Sequence, residues 1–274
     1  MTSELKHGEE RFTVHYSLQF KRACLISVSL PLSALIICFF TAYAFQYNDI
    51  QETHCRVFNV IPSISAVTGI TPQTYLWRIS IVFHILPRLI ISAVHRSYLL
   101  GLMNVLAQPE IQSKAHFWLN AAFSLNAIET GALCGVTYIS NRENYAVHEK
   151  LFIIFIISSL THMLACIKGV NIMAELKNGT NDVLRHIQLK KKLFKISISS
   201  TIGLVVFFLQ HRLFCHRLAN IFFSAFSMFA FCEYIIAFAN IGFHIAVILD
   251  LPTESFLVAN RLTDCPLEET RKQK

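Results

Sequence analysis

Charge is what this chain has least of. Only 15% of its 274 residues are Asp, Glu, Lys or Arg, while 54% are hydrophobic; an ordinary globular chain carries about a quarter charged. That shortage excludes a soluble domain with a solvated surface. The signatures of soluble catalysis are missing too: there is no G-x-S-x-G, no H-x-x-x-x-D of the glycerolipid acyltransferases, no Walker loop and no H-E-x-x-H. The eight cysteines contain no C-x-x-C and no metal-ligand spacing, so no metal is expected. A cleavable signal peptide is not expected, because the first apolar run, 23–47, is too long for a signal core and lacks a small-residue cleavage site. No internal repeat or low-complexity segment occurs. The net charge of +7 does not point to nucleic acid, since the basic residues sit in short loops beside hydrophobic runs.

What is present is a set of apolar runs of the length that spans a bilayer. The expected fold is all-α, a polytopic membrane protein with six transmembrane helices over 23–45, 76–102, 116–139, 150–173, 194–210 and 218–249. An N-terminal arm, 1–22, precedes the membrane domain, 23–249, and a polar tail, 250–274, follows it. A long polar loop, 46–75, separates the first two helices. Pro31 falls inside the first helix, which membrane helices tolerate where neighbours satisfy the freed carbonyl. Lys and Arg are concentrated on the side of the termini, from Lys6, Arg11, Lys21 and Arg22 to the run Lys190, Lys191, Lys192 and Lys195. The opposite side has only Arg56, Arg78, Arg142, Lys150, Arg212 and Arg217. The positive-inside bias therefore makes both termini cytosolic and the 46–75 loop luminal. The sequon Asn178-Gly179-Thr180 is then cytosolic and unglycosylated. Cys55 and Cys215 are the two cysteines in luminal segments, where disulfides persist, and a bond between them is expected. Two free thiols are the alternative.

Ionisable residues inside apolar runs cost about 2.5–3.5 kcal/mol each on insertion scales, so those present mark candidate sites. At about 1.5 Å rise per residue, His84 lies ~10 Å and Arg88 ~16 Å below Trp77, on one helix face. Glu129 lies ~14 Å below Tyr138, with Asn126 beside it. These four can meet at one depth, with Arg88 and Glu129 as the ion pair. The pair is either a structural lock between two helices or part of a site. Glu233, Asn240 and His244 line one face of the last helix. His162, near the middle of the fourth helix, reads as a helix–helix hydrogen bond or as a catalytic group. At the luminal rim, His148-Glu149 reads as an interfacial base with its carboxylate or as a solvated helix start.

Thr53-His54-Cys55, Asn59, Pro62-Ser63, Ser65-Ala66, Pro72-Gln73, Tyr75, Trp77-Arg78, His84 and Pro87-Arg88 resemble the post-GPI-attachment factors of the Frag/DRAM-type membrane family. Asn126, Glu129, Thr137-Tyr138, Ser140, His148-Glu149, Ser158-Ser159-Leu160 and His162-Met163-Leu164 extend the resemblance. His211, Cys215, Glu233-Tyr234, Asn240 and Phe243-His244 carry it to the last helix, so that it covers residues 11–250. The connector around 178–192 is longer and more basic than the family's, and the tail diverges.

The resemblance implies lipid remodelling of GPI-anchored proteins: reacylation of the lyso-GPI sn-2 position with a saturated fatty acid, in the Golgi membrane, with the endoplasmic reticulum membrane as the alternative. The implied partners are the lyso-GPI lipid and membrane lipids, with no nucleic acid. No bound cofactor is expected, and an acyl donor, acyl-CoA, would be co-substrate. Three readings follow. The first is an acyltransferase, for which His84, Arg88, Glu129, His148 and His162 are the catalytic candidates and Arg78, Asn126 and Glu233 the substrate-binding ones. His84 is the preferred base, because Arg88 one turn away disfavours its protonated form; His148 is the second choice. His244 is placed too near the cytosolic end to take part. The other readings are a lipid-presenting factor for a separate enzyme and a lipid transporter or scramblase.

Overall fold

The computed structural model describes residues 3–7, 10–51, 59–176, 181–214, 225–251 and 255–262. Cys55 and Cys215, and the Asn178 sequon, lie outside the described residues. Six long helices form the body: α1 (Phe20–Phe45), α4 (Gln73–Leu106), α5 (Pro109–Tyr138), α6 (Tyr145–Leu176), α7 (Asn181–Phe214) and α8 (Ala225–Ile245), the last continued by a 3-10 turn, Ala246–Leu249. Two short helices, α2 (Tyr47–Gln51) and α3 (Ile64–Thr68), lie between α1 and α4. Among the described residues five of the long helices, α1, α4, α6, α7 and α8, are long and apolar enough to cross a membrane; α5 is of similar length.

Each helix packs on the next along the chain, and α8 closes back on α1, so the bundle has an interior. Its outward faces carry large exposed apolar side chains such as Ile36, Phe40, Phe83, Leu86, Ile157, Ile202 and Phe238. That surface suits lipid, not water. Polar side chains are instead collected inside: Arg88, Asn126, Glu129, Ser158, Ser159, His162 and Asn240 are all buried. Gly135 and Gly169 let α5 and α6 approach closely, since a Cβ at either would come within 3.0 Å of Leu151 or Leu119 respectively; small residues serve membrane helix contacts in this way.

The arm and the tail each contribute strands. β1 (Ser3–His7), β2 (Glu10–Gln19) and β3 (Ser255–Leu262) form an antiparallel sheet in that order, so the fold is helical with a small sheet at one end. The alternation Phe12, Val14, Tyr16, Leu18 is a strand pattern. A bulge between Val14 and Tyr16 resets its faces, which is why Val14 is buried and Tyr16 is 59% exposed. Gln19 leads directly into α1, and Phe20 packs on Phe256 and Leu251, joining the sheet to the bundle.

The bounds of α4 and α6 are corrected outward, and most of all the start of α7, which is Asn181 and not 194. The basic run expected in a connector is therefore helical, and Lys190 is fully buried, paired with Asp250, which also meets His95 at 2.8 Å. Periodicity failed here because the lysines hid a helix whose buried charge has a partner 60 residues away. The 46–75 loop likewise contains α2, α3 and the start of α4.

Candidate functional site

Two clefts enter the bundle and meet at a buried polar cluster. The chain alternates direction, so the ends of α1, α5 and α7 and the starts of α4, α6 and α8 lie with α2 and α3 at what is here the loop end; the sheet marks the opposite, terminal end. The larger cleft encloses about 970 Å³ of empty space, counted out to its open mouth. Ser65, Thr68, His148 and Glu233 lie at the loop-end mouth; apolar walls follow, among them Phe152, Phe155 and Ile236; His84, Arg88, Asn240 and His244 form its floor. The second cleft, of about 630 Å³ on the same count, shares His84, Arg88 and His244 and extends towards the terminal end past Ser92, His95 and Cys166.

Arg88 and Glu129 pair as their depths suggested, with Nη2 2.6 Å from Oε1. The guanidinium also donates from Nε and Nη2 to Asn126 Oδ1, both at 3.2 Å, and from Nη2 to His244 Nε2 at 2.7 Å. A guanidinium only donates, so His244 Nε2 is the acceptor nitrogen of a neutral ring. Asn240 donates to Glu129 Oε1 at 2.6 Å and to Ser159 Oγ at 2.7 Å. His162 stacks on His244, with ring centroids 5.2 Å apart, and its Nδ1 is 3.0 Å from Glu129 Oε2, off the line of a hydrogen bond. The placement of His244 outside the site is thus corrected. Arg88 lies near the middle of α4, and its long side chain reaches the last turn of α8, where His244 sits. Glu129, His162 and His244 offer ligand atoms within 4.8 Å of one another, a spacing a metal ion could use. The Arg88 guanidinium already pairs with two of the three, and its charge opposes a cation there.

His84 stands beside this cluster, tied to a different helix. Its Nδ1 lies 2.7 Å from the Ser27 carbonyl and 3.2 Å from Ser27 Oγ. A carbonyl only accepts, so Nδ1 carries the proton and the Nε2 lone pair is left without a protein partner among the described residues. His148 has the same pattern at the mouth: Nδ1 is 2.7 Å from the Ile139 carbonyl and Nε2 is 2.9 Å from Ser65 Oγ. Glu149 is not its partner; that carboxylate lies 3.6 Å from Arg212, because adjacent residues on a helix point about 100° apart. Glu233 accepts from the Ile64 N–H at 2.8 Å, tying α3 to α8. Arg78 lies outside the main cleft and holds Glu143 through both carboxylate oxygens, at 2.9 and 2.8 Å. Arg78, with the Ser140 N–H and hydroxyl, brings the Glu143 pKa down to about 2.

The family described as the Frag1/DRAM/Sfk1/Cwh43P N-terminal domain matches residues 19–254, the whole bundle and both clefts. The chain belongs to this family. Among curated relatives, a Drosophila melanogaster protein named "Post-GPI attachment to proteins factor 2-like" is 46% identical over 250 residues, covering 91% of this chain and 75% of the relative. A Danio rerio protein named "Acyltransferase PGAP2" is 34% identical over 198 residues, 72% of this chain and 83% of the relative. A Caenorhabditis elegans protein named "Post-GPI attachment to proteins factor 2" is 31% identical over 251 residues, 89% and 90% of the two chains. No solved structure matches.

Within this family member, sequence reasoning singled out Arg88, Glu129, Asn126, His84 and His162, and folding brings them to one region. It missed Ser27, Ser159 and the Ser65–His148 bond. Asn240 and His244, four apart on one helical face, were the available signal for the last helix. No local spacing signals a bond between residues 65 and 148.

Proposed function

We propose that this chain acts in GPI-anchor lipid remodelling, reacylating the sn-2 hydroxyl of the lyso-GPI lipid with a saturated chain. The observation that carries this reading is the meeting of two clefts at His84, Arg88 and His244. An acyl donor in one cleft and a lysolipid in the other would bring thioester and hydroxyl together there. Attack by the hydroxyl needs a base and a stabiliser for the oxyanion. His84 offers a neutral imidazole whose Nδ1–H is held by Ser27 and whose Nε2 is open. Arg88 offers Nη1, which has no hydrogen-bond partner among the described residues. Asn126, Glu129 and His162 hold that guanidinium and its carboxylate in place, while Glu233 holds the mouth. The names of the relatives, acyltransferase among them, agree with this chemistry.

In the same proposal α5 is a sixth span, since it lies between two spans and packs along α6. Both termini are cytosolic, the loop end is luminal, acyl-CoA is the donor, and the protein resides in the Golgi membrane, with the endoplasmic reticulum as the alternative. The test is reacylation in cells lacking the native protein, comparing His84→Ala, His148→Ala and His162→Ala at matched expression. His84→Ala is expected to lose about 100-fold or more in activity, and its full rescue sinks the His84 assignment. Full rescue by all three selects a lipid-presenting factor. A polar cluster between two clefts also suits a lipid path, and leaflet exchange of labelled lipid without transfer would select that reading.

A further inference from the structure

The Ser65 hydroxyl bonds to none of its own helix. Thr68, at the end of α3, bonds back to the Ile64 carbonyl at 2.8 Å, whereas Ser65, the second residue of this five-residue helix, has no turn of it behind to bond to. Ser65 Oγ instead lies 2.9 Å from His148 Nε2, across 83 residues of chain. His148 donates its Nδ1–H to the Ile139 carbonyl, so in the neutral ring Nε2 is the acceptor and Ser65 the donor. This is the relation of a nucleophile to its general base, with a backbone carbonyl orienting the imidazole. Both residues line the large cleft at its mouth, His148 buried and Ser65 half-buried, above the apolar wall of Phe152, Phe155 and Ile156. The bond is not needed to anchor α3, because the Glu233–Ile64 bond and the burial of Val67 in a cluster with Leu35 and Ala42 of α1 already do so. His148 is in the first turn of α6, about 5 Å from its start, at the loop end of the bundle.

We propose that Ser65 and His148 form a second acyl-transfer centre at the mouth of the cleft, where Ser65 takes a long-chain acyl group from an acyl ester as a covalent acyl-serine. This centre is independent of the one at His84. Ser65 Oγ attacks the acyl carbonyl carbon, and its proton passes to His148 Nε2. The bond from that carbon to the leaving oxygen or sulfur breaks, and His148 returns the proton to the departing alkoxide or thiolate. A second hydroxyl, of a lysolipid or of water, then attacks the acyl-serine. Its proton passes through His148 to Ser65 Oγ, which is released. The apolar wall below the pair would hold the chain. The acyl group can come from a membrane glycerolipid oxygen ester or from an acyl-CoA thioester.

The full chain in nanodiscs, incubated with radiolabelled dioleoylphosphatidylcholine in one arm and radiolabelled stearoyl-CoA in the other, tests this by acid quench and peptide mapping. The expected result is an acyl adduct on Ser65 in at least one arm, which also identifies the source, and labelling of Ser65 by a fluorophosphonate probe. Ser65→Ala should abolish both signals. Ser65→Cys should carry a thioester adduct released by neutral hydroxylamine. His148→Gln keeps a hydrogen-bond acceptor for Ser65 but cannot take a proton, and should slow adduct formation by about 100-fold. A purely structural bond would leave that rate unchanged. Absence of adduct and of probe labelling at Ser65 in the wild type, in both arms, overturns the proposal, even where lysolipid reacylation proceeds.

Discussion

Arg88 and Glu129 show how one buried pair depends on its surroundings. Glu129 is fully buried and Arg88 is 5% exposed, so neither charge has water to fall back on. Removing one partner of a buried pair costs about 3–5 kcal/mol, because the other charge is stranded. Glu129→Gln should therefore lower stability by about that amount, read by thermal unfolding in detergent. The double change Arg88→Met/Glu129→Leu should cost less than the single one, since no charge is left unpaired. Equal stability of Glu129→Gln and wild type would show that the guanidinium does not need its carboxylate. The pair was readable from residue type and depth: two opposite charges in apolar runs have to find each other. Its further partners His244, Asn240 and Ser159 were not, because which faces of two other helices, α6 and α8, point inward is a matter of packing.

At the scale of elements, the joint between α7, α4 and the end of α8 rests on Lys190, His95 and Asp250. Burial alone would raise the Asp250 pKa, but Lys190 and then His95 hold it below the ordinary carboxylate range. A carboxylate with a depressed folded pKa stabilises fully above its unfolded value, about 3.9, and less as pH falls below it. The stability gap between wild type and Asp250→Asn should thus be wide at pH 7 and narrow progressively below about pH 4. A gap that is constant with pH would mean that the carboxylate is not charged in the fold. Read from the sequence, Lys190 belonged to a basic connector; its burial arises only because α7 continues through the basic run and docks against the last turn.

At the scale of the molecule, the alternating direction of six long helices puts the two ends of the chain together, and the sheet between β2 and β3 agrees with that. With the termini cytosolic, Asn178 lies between α6 and α7 on the cytosolic side. It should therefore remain unmodified, giving no mobility shift on glycosidase digestion; a glycan at Asn178 would invert the proposed orientation.

Composition and the length of the apolar runs were sufficient for a polytopic helical bundle, because hydrocarbon forces every backbone polar group into an internal hydrogen bond and helices meet that demand locally. The same physics made the charges inside those runs conspicuous, and Arg88, Glu129, Asn126 and His84 could be named without coordinates. Tertiary structure alone decided the rest. The pairing of β2 with β3, the burial of Lys190, the arrival of His244 at Arg88 and the meeting of Ser65 with His148 each join residues at least 60 positions apart. Such contacts depend on how helices rotate and tilt against one another, and that is set by side-chain packing between helices, which no single run of sequence contains.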